Sequence, residues 1–199
     1  MTNDPIYKAN IGGGELKVTE SRIIAELLLN NTDDKTWHQA IVVENILQHK
    51  SPAFAQRQSS LIRSRLSLMK PELWELIKDG SKKTATDAVF AAAIKHSALL
   101  ADFLDLVVRA EFKIYSNALT KKHWTNFLSD CHARDPNMPQ WAESTESRLA
   151  SSIWGILVEV GYLSVKRKKC LQPIQISPEV MNYLKKEQEE KILRCIQVP

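Results

Sequence analysis

Four consecutive cations, Lys166, Arg167, Lys168 and Lys169, occupy one predicted turn, and no acid lies between Gly161 and Ser177. Ammonium and guanidinium groups held together on a short hairpin tip suit contact with successive phosphates of a nucleic acid. The same run also serves to keep a β-edge soluble. Just upstream, winding Ser144–Val160 at 100° per residue puts Leu149, Ile153, Ile156, Leu157 and Val160 on one side. Ser144, Ser147, Arg148 and Ser151 point the other way, near the N-terminal end. Small hydroxyls let a helix approach base edges closely, and an arginine can fork onto guanine. An ordinary amphipathic helix has a polar outer face too, and the adjacent basic tip tilts the balance toward nucleic acid. Lys121 and Lys122, opening the preceding helix, add candidate backbone contacts, while Glu159 lies at the far end of the Ser144 helix.

A second acid-free basic segment runs from Ser51 to Lys70 and holds Arg57, Arg63, Arg65 and Lys70. On a helical wheel Gln56, Ser59, Ser60, Arg63, Ser67 and Lys70 share one face, with Phe54, Leu61, Leu66 and Leu68 broadly opposite. Arg57, Arg63 and Lys70 are the candidate phosphate contacts. Arg65 falls within the apolar arc, where a long side chain snorkels or pairs. The two segments hold eight of the 27 Lys and Arg, so the rest of the chain carries 19 basic against 23 acidic residues. This concentration is better evidence for a polyanionic partner than the net charge of +4.

Catalytic chemistry is poorly represented. Gly12-Gly13-Gly14-Glu15 lacks the Lys-Ser/Thr of a phosphate loop and follows no strand pattern. His38, His49, His96, His123 and His132 show no metal-ligand spacing, and adjacent Cys131-His132 would need distant partners to hold zinc. No Gly-x-Ser-x-Gly or clustered-carboxylate motif occurs. The five tryptophans mostly fall at core spacing, as inter-helix wedges rather than base-stacking platforms. No cofactor or metal is expected.

The elements that would carry these groups are helical. With 44% apolar and 25% charged residues over 199 positions, the chain has the composition of a globular protein, not a disordered or fibrous one. Three scattered cysteines make no disulfide framework and read as reduced thiols of a cytoplasmic protein. No secretory signal is expected, because Met1–Pro5 shows no basic stretch followed by an apolar run. Ala88–Ala110 is broken by Lys95, His96, Asp102 and Asp105, so it is expected to form one or two buried helices, not a membrane span.

Cap and breaker signals place helices after Thr19, after Asp33 or Asp34, from Ser51-Pro52 to about Met69, and from Lys70-Pro71 through Ile77. Asp79–Lys83 is the best linker candidate. Helices then cover roughly 84–95 and 97–115, and Thr120 caps another that Asp135–Pro139 ends. The Ser144 helix follows. Tyr162–Val165 and Cys170–Ile174 pattern as two short strands, and Ser177-Pro178 opens a last helix with Lys185–Lys191 as its solvated face. The predicted fold is all-α, with two helix-turn-helix-like subdomains, residues 1–80 and 81–199. The second is winged by a short β-hairpin.

Three stretches resemble the BrxA family of bacteriophage exclusion (BREX) defence systems. They are Tyr7-Lys8-Ala9 through Gly12–Gly14 to Glu20–Ala25; Ile94–Ser97 to Asp102–Leu104; and Trp141, Thr145–Leu149 and Leu157–Leu163. The resemblance spans most of residues 7–184 and rests on hydrophobic and helix-terminal patterns. It implies an all-helical protein encoded beside a methyltransferase, a phosphatase-like protein and ATPases, with double-stranded DNA as partner. It brings no catalytic motif. The expected function is therefore non-enzymatic binding of duplex DNA, mainly through phosphates and with low sequence specificity. The alternatives are a helical adaptor docking onto the other defence proteins, or a helical RNA binder.

Overall fold

The computed structural model describes residues 4–11, 15–116, 118–164 and 170–197, and it is mainly helical. The helices are α1 (Val18–Leu29), α2 (Asp34–His38), α3 (Pro52–Leu66), α4 (Pro71–Asp79), α5 (Lys82–His96), α6 (Ala98–Asp102), α7 (Arg109–Lys113), α8 (Lys121–Arg134), α9 (Glu143–Val160), α10 (Pro178–Lys186) and α11 (Glu190–Ile196). π-helical stretches continue α2 (Gln39–Val43) and join α6 to α7 (Phe103–Val108).

Helix α5 is the spine. Alanine, valine and phenylalanine surround its axis without a polar stripe, so every residue from Thr84 to Ile94 is buried, as an apolar-all-round helix requires. It packs against α1, α3 and α4 on the N-terminal side and α6, α9, α10 and α11 on the other. Asp87, buried on this helix, accepts from Lys83 Nζ at 2.5 Å and from the Ser177 main-chain N–H at 2.8 Å, which fixes the start of α10.

Local chemistry sets the helix ends. Asp33 accepts from Lys35 and Thr36 N–H at 2.9 and 3.0 Å, and Ser51, followed by Pro52, caps α3. Asp79–Lys83, expected as a linker, is instead a tight corner: a Cβ on Gly80 would lie 2.3 Å from the Leu76 carbonyl oxygen, and Ser81 caps α5. Ser97 divides the long apolar segment by capping α6. No helix among the described residues is long and apolar enough to cross a membrane.

Several expectations need correction. The buried face of α3 is Ala55, Gln58, Ser59, Ile62, Arg65 and Leu66, whereas Phe54 and Leu68 are exposed. Packing against α1, α5 and the first π-helical stretch admits small residues and rotates the wheel away from its simple apolar side. Arg65 does not snorkel, and it pairs with no carboxylate among the described residues. It is 2% exposed, its Nε and Nη1 have no hydrogen-bond partner, and burial pulls its pKa down to about 10. Lys185–Lys191 is not one solvated helical face either. The chain breaks at Glu187–Glu189, and α11 buries Ile192, Cys195 and Ile196.

The two predicted strands are represented by isolated antiparallel bridges, Leu163 with Leu171 and Ala118 with Cys170, and no sheet forms among the described residues. Ser164 N–H donates to Cys170 O, and Gln172 N–H to Tyr162 O, both at 3.0 Å. Gly161, at φ 98, ends α9 and turns the chain into this pairing; only glycine adopts that backbone without penalty.

Candidate nucleic-acid interface

Helix α8 presents the first basic residues. Thr120 N–H donates to His123 Nδ1 at 3.1 Å and secures its start, leaving Lys121 and Lys122 exposed with no ion pair among the described residues. The opposite face, Trp124, Phe127, Leu128 and Cys131, is buried. Phe103 anchors this arrangement, with its ring 5.8 Å from Trp124, 5.2 Å from Phe127 and 5.5 Å from Trp154 of α9. One aromatic side chain therefore fixes both helices relative to the π-helical stretch.

Helix α9 buries Leu149, Ile153, Ile156, Leu157 and Val160, the stripe read from the sequence. Ser144, Ser147, Arg148 and Ser151 are all exposed. Arg148 is braced by its own helix: Nε donates to Ser144 O and Nη2 to Thr145 Oγ1, each at 3.3 Å. Ser151 Oγ donates to Ser147 O at 2.9 Å, which keeps its lone pairs outward. Glu159, at the other end, accepts from Leu16 N–H at 2.8 Å, and burial holds its carboxyl above the usual range.

Between α8 and α9 runs an open cleft with two lobes, of about 380 and 580 Å³, that share Lys121, Trp124, Ala150 and Ser151. Trp154 and Gly155 complete the first lobe, and Glu143 and Glu146 border the second. Trp124 is 4% exposed and its indole Nε1 has no acceptor among the described residues. Reading the tryptophans as core wedges missed this, because helical spacing fixes the side of a helix and not where its polar atom ends.

The α3 cations are spread differently. Arg57 is exposed, with its guanidinium 5.8 Å from the Phe54 ring, beside a pocket shared with His49, Lys50 and Ser51. Arg63 lies 4.4 Å over the Trp37 ring and pairs with Asp34 at 3.2 Å. Lys70 pairs with Glu187. Of the three, only Arg57 has no carboxylate partner among the described residues. Lys166, Arg167, Lys168 and Lys169 lie outside the described residues, as do Gly12–Gly14.

No group of three or more His, Cys, Asp or Glu among the described residues is placed to hold a metal ion. Burial pushes the Cys131 thiol up to about 11 and the Cys195 thiol up to about 12, away from the thiolate that nucleophilic chemistry needs.

A model of the BrxA family matches residues 5–188. A BREX protein BrxA from Paramagnetospirillum magneticum is 53% identical over 195 residues, 98% of each chain. Another from Escherichia coli O9:H4 is 31% identical, covering 99% of this chain and 92% of the relative. A crystal structure of an uncharacterized protein from Magnetospirillum magneticum superposes with a TM-score of 0.91 at 51% identity, over 98% of this chain and all of that one.

Proposed function

This chain belongs to the BrxA family of BREX phage-defence proteins, and from that premise we propose that it is a non-enzymatic, cytoplasmic protein that binds double-stranded DNA. The observation that carries the reading is on α8 and α9. Lys121 and Lys122, exposed and without an ion pair among the described residues, stand at the start of one helix, and the exposed Ser144, Ser147, Arg148 and Ser151 line the first half of the next. The chain order supports it: helix, bridge at Ala118, α8, α9, then bridges at Leu163 and at Cys170–Leu171. In this reading the order serves as a winged helix-turn-helix, with α9 as the helix that enters the major groove.

In this reading Lys166, Arg167, Lys168 and Lys169, which fall in sequence between the bonded Ser164 and Cys170, meet phosphates as the wing. Residues 1–80 and 81–199 act as two subdomains, with Arg57 and Arg63 of α3 as a second contact. Lys70 contributes least, because Glu187 already neutralises it. Arg148 is the one strong base reader on α9, so sequence specificity is low. The other BREX proteins are the further partners in this reading.

The test is a salt-titrated binding assay with unrelated duplexes. If roughly six phosphates are neutralised, log K falls with log salt at a slope near −5. A flat salt response overturns the reading.

A second reading, an adaptor docking onto defence partners, is favoured by the apolar side chains after α7, where Ile114 is 70% and Tyr115 91% exposed. Co-purification with a defence protein, together with no duplex binding by the isolated chain, selects it.

A further inference from the structure

Helix α7 ends in a corner that folding alone does not explain. Tyr115 N–H donates to Phe112 O at 3.0 Å, and Ser116 N–H donates to Glu111 O at 2.9 Å. That double closure puts Tyr115 at φ 54, the left-handed position that glycine ordinarily fills after a helix. A tyrosine there carries backbone strain, and at 91% exposure it recovers nothing by burial. Ile114 beside it is exposed as well. Strain kept at an exposed aromatic points to a contact made outside the chain.

The charge around the corner says what that contact is. Lys113, Lys121 and Lys122 are exposed and have no ion pair among the described residues. No Asp or Glu occurs from Phe112 to Ser129. Glu111, just before this stretch, is largely buried and faces His123 Nε2 at 3.6 Å. The same contact sets the end of α7 against the start of α8, so the apolar pair and the three lysines surround one junction. Glu143 and Glu146 border the cleft that Lys121 lines, and neither forms an ion pair with it. The Ala118–Cys170 bridge lies three residues past Tyr115, at most about 11 Å of chain. An apolar pair ringed by unneutralised cations complements a polyanion that also has apolar faces to offer, which is a stack of bases between phosphates.

We propose that Ile114 and Tyr115 form a wedge for duplex DNA. The three lysines hold phosphates while the two side chains press into a base step and partly unstack it. The wedge rests on the duplex-binding reading and deepens it, by naming a contact to bases that needs no hydrogen-bond readout. Pyrimidine–purine steps unstack at least cost, so they are its preferred sites.

The test compares the full-length protein with the double variant Ile114→Ser, Tyr115→Gly. Both side chains are exposed and glycine takes φ 54 without strain, so the melting temperature should not fall. Duplex affinity should drop at least about fivefold, with the salt slope unchanged because no phosphate contact is lost. Lys113→Gln should instead lower the magnitude of the slope by about 1. Thymines in TpA steps should react with permanganate under saturating wild-type protein and stay unreactive under the double variant.

Equal affinity of the two proteins, or thymines unreactive under both at a steep salt slope, overturns the wedge and leaves duplex binding standing. Unchanged duplex affinity together with lost co-purification of a defence protein gives the pair to a protein contact, and overturns the wedge too. A wild-type protein that binds no duplex overturns the wedge and the duplex-binding reading together.

Discussion

Tyr7 donates its phenolic hydrogen to Asp102 at 2.6 Å, joining the N-terminal segment to the end of α6 across 95 positions of chain. Arg134 Nε donates to the same phenolic oxygen at 3.1 Å. Asp135, the next residue, accepts the Ile6 and Tyr7 main-chain N–H groups at 2.7 and 3.2 Å. The segment before α1 is thereby strapped over the end of α8, the helix that carries Lys121 and Lys122.

Removing the phenol strands groups on both sides of this strap. Tyr7→Phe should cost about 1–3 kcal/mol in urea denaturation, because an unsatisfied partner loses more than the net worth of the bond. A cost below about 0.5 kcal/mol would mean that water replaces the hydroxyl freely.

Arg65 makes the opposite prediction. Its guanidinium is buried without hydrogen bonds at Nε and Nη1, and no carboxylate lies within ion-pair distance among the described residues. Arg65→Met keeps most of the volume and removes a desolvated charge, so stability should be unchanged or raised by about 1 kcal/mol or more. A thermal-melt loss equivalent to more than about 2 kcal/mol would show that the guanidinium is bonded in solution.

Two lysines separate a free charge from a neutralised one. Lys121→Ala should lower the magnitude of the salt slope of duplex binding by about 1. Lys70→Ala should leave the slope unchanged, because Glu187 already holds that ammonium. Equal effects of the two substitutions would contradict the assignment of α8 to the phosphate contact.

Burial, with the positive Arg65 nearby, holds the His96 imidazole below its ordinary value. The unfolded chain therefore takes up this proton at a higher pH than the folded one. Stability from this group is present above the unfolded value of about 6.5 and is lost as pH falls below it, by at most about 1.4 kcal/mol per pH unit. His96→Asn should flatten the decline in melting temperature between pH 7 and 5. An unchanged profile would assign the decline to other groups.

Gly161 ends α9 at φ 98, and a Cβ there would meet only Ile174 Cγ2 at an ordinary 3.6 Å. Gly161→Ala should cost about 1 kcal/mol of stability from backbone conformation, without a steric clash. A larger loss would require α9 and the following bridge pairing to shift together.

Local chemistry made the helices legible in the sequence. Asp33, Ser51-Pro52, Ser97 and Gly161 act on backbone groups within a few residues, so the start or end of a helix follows from neighbours alone. The apolar stripe of α9 followed from its 3.6-residue period, and with it the exposure of Ser144, Ser147, Arg148 and Ser151. The family resemblance rested on the same local patterns. What lay beyond the sequence depends on partners far along the chain. Periodicity could not say that Glu187 would neutralise Lys70, that Arg65 would be buried with Nε and Nη1 unbonded, or that Phe103 would bring Trp124 and Trp154 to one cleft with an indole N–H left over. A sequence specifies which side of a helix is apolar. Only the packing of α5 against its neighbours decides how far each face turns inward, and so which charges stay free to meet another molecule.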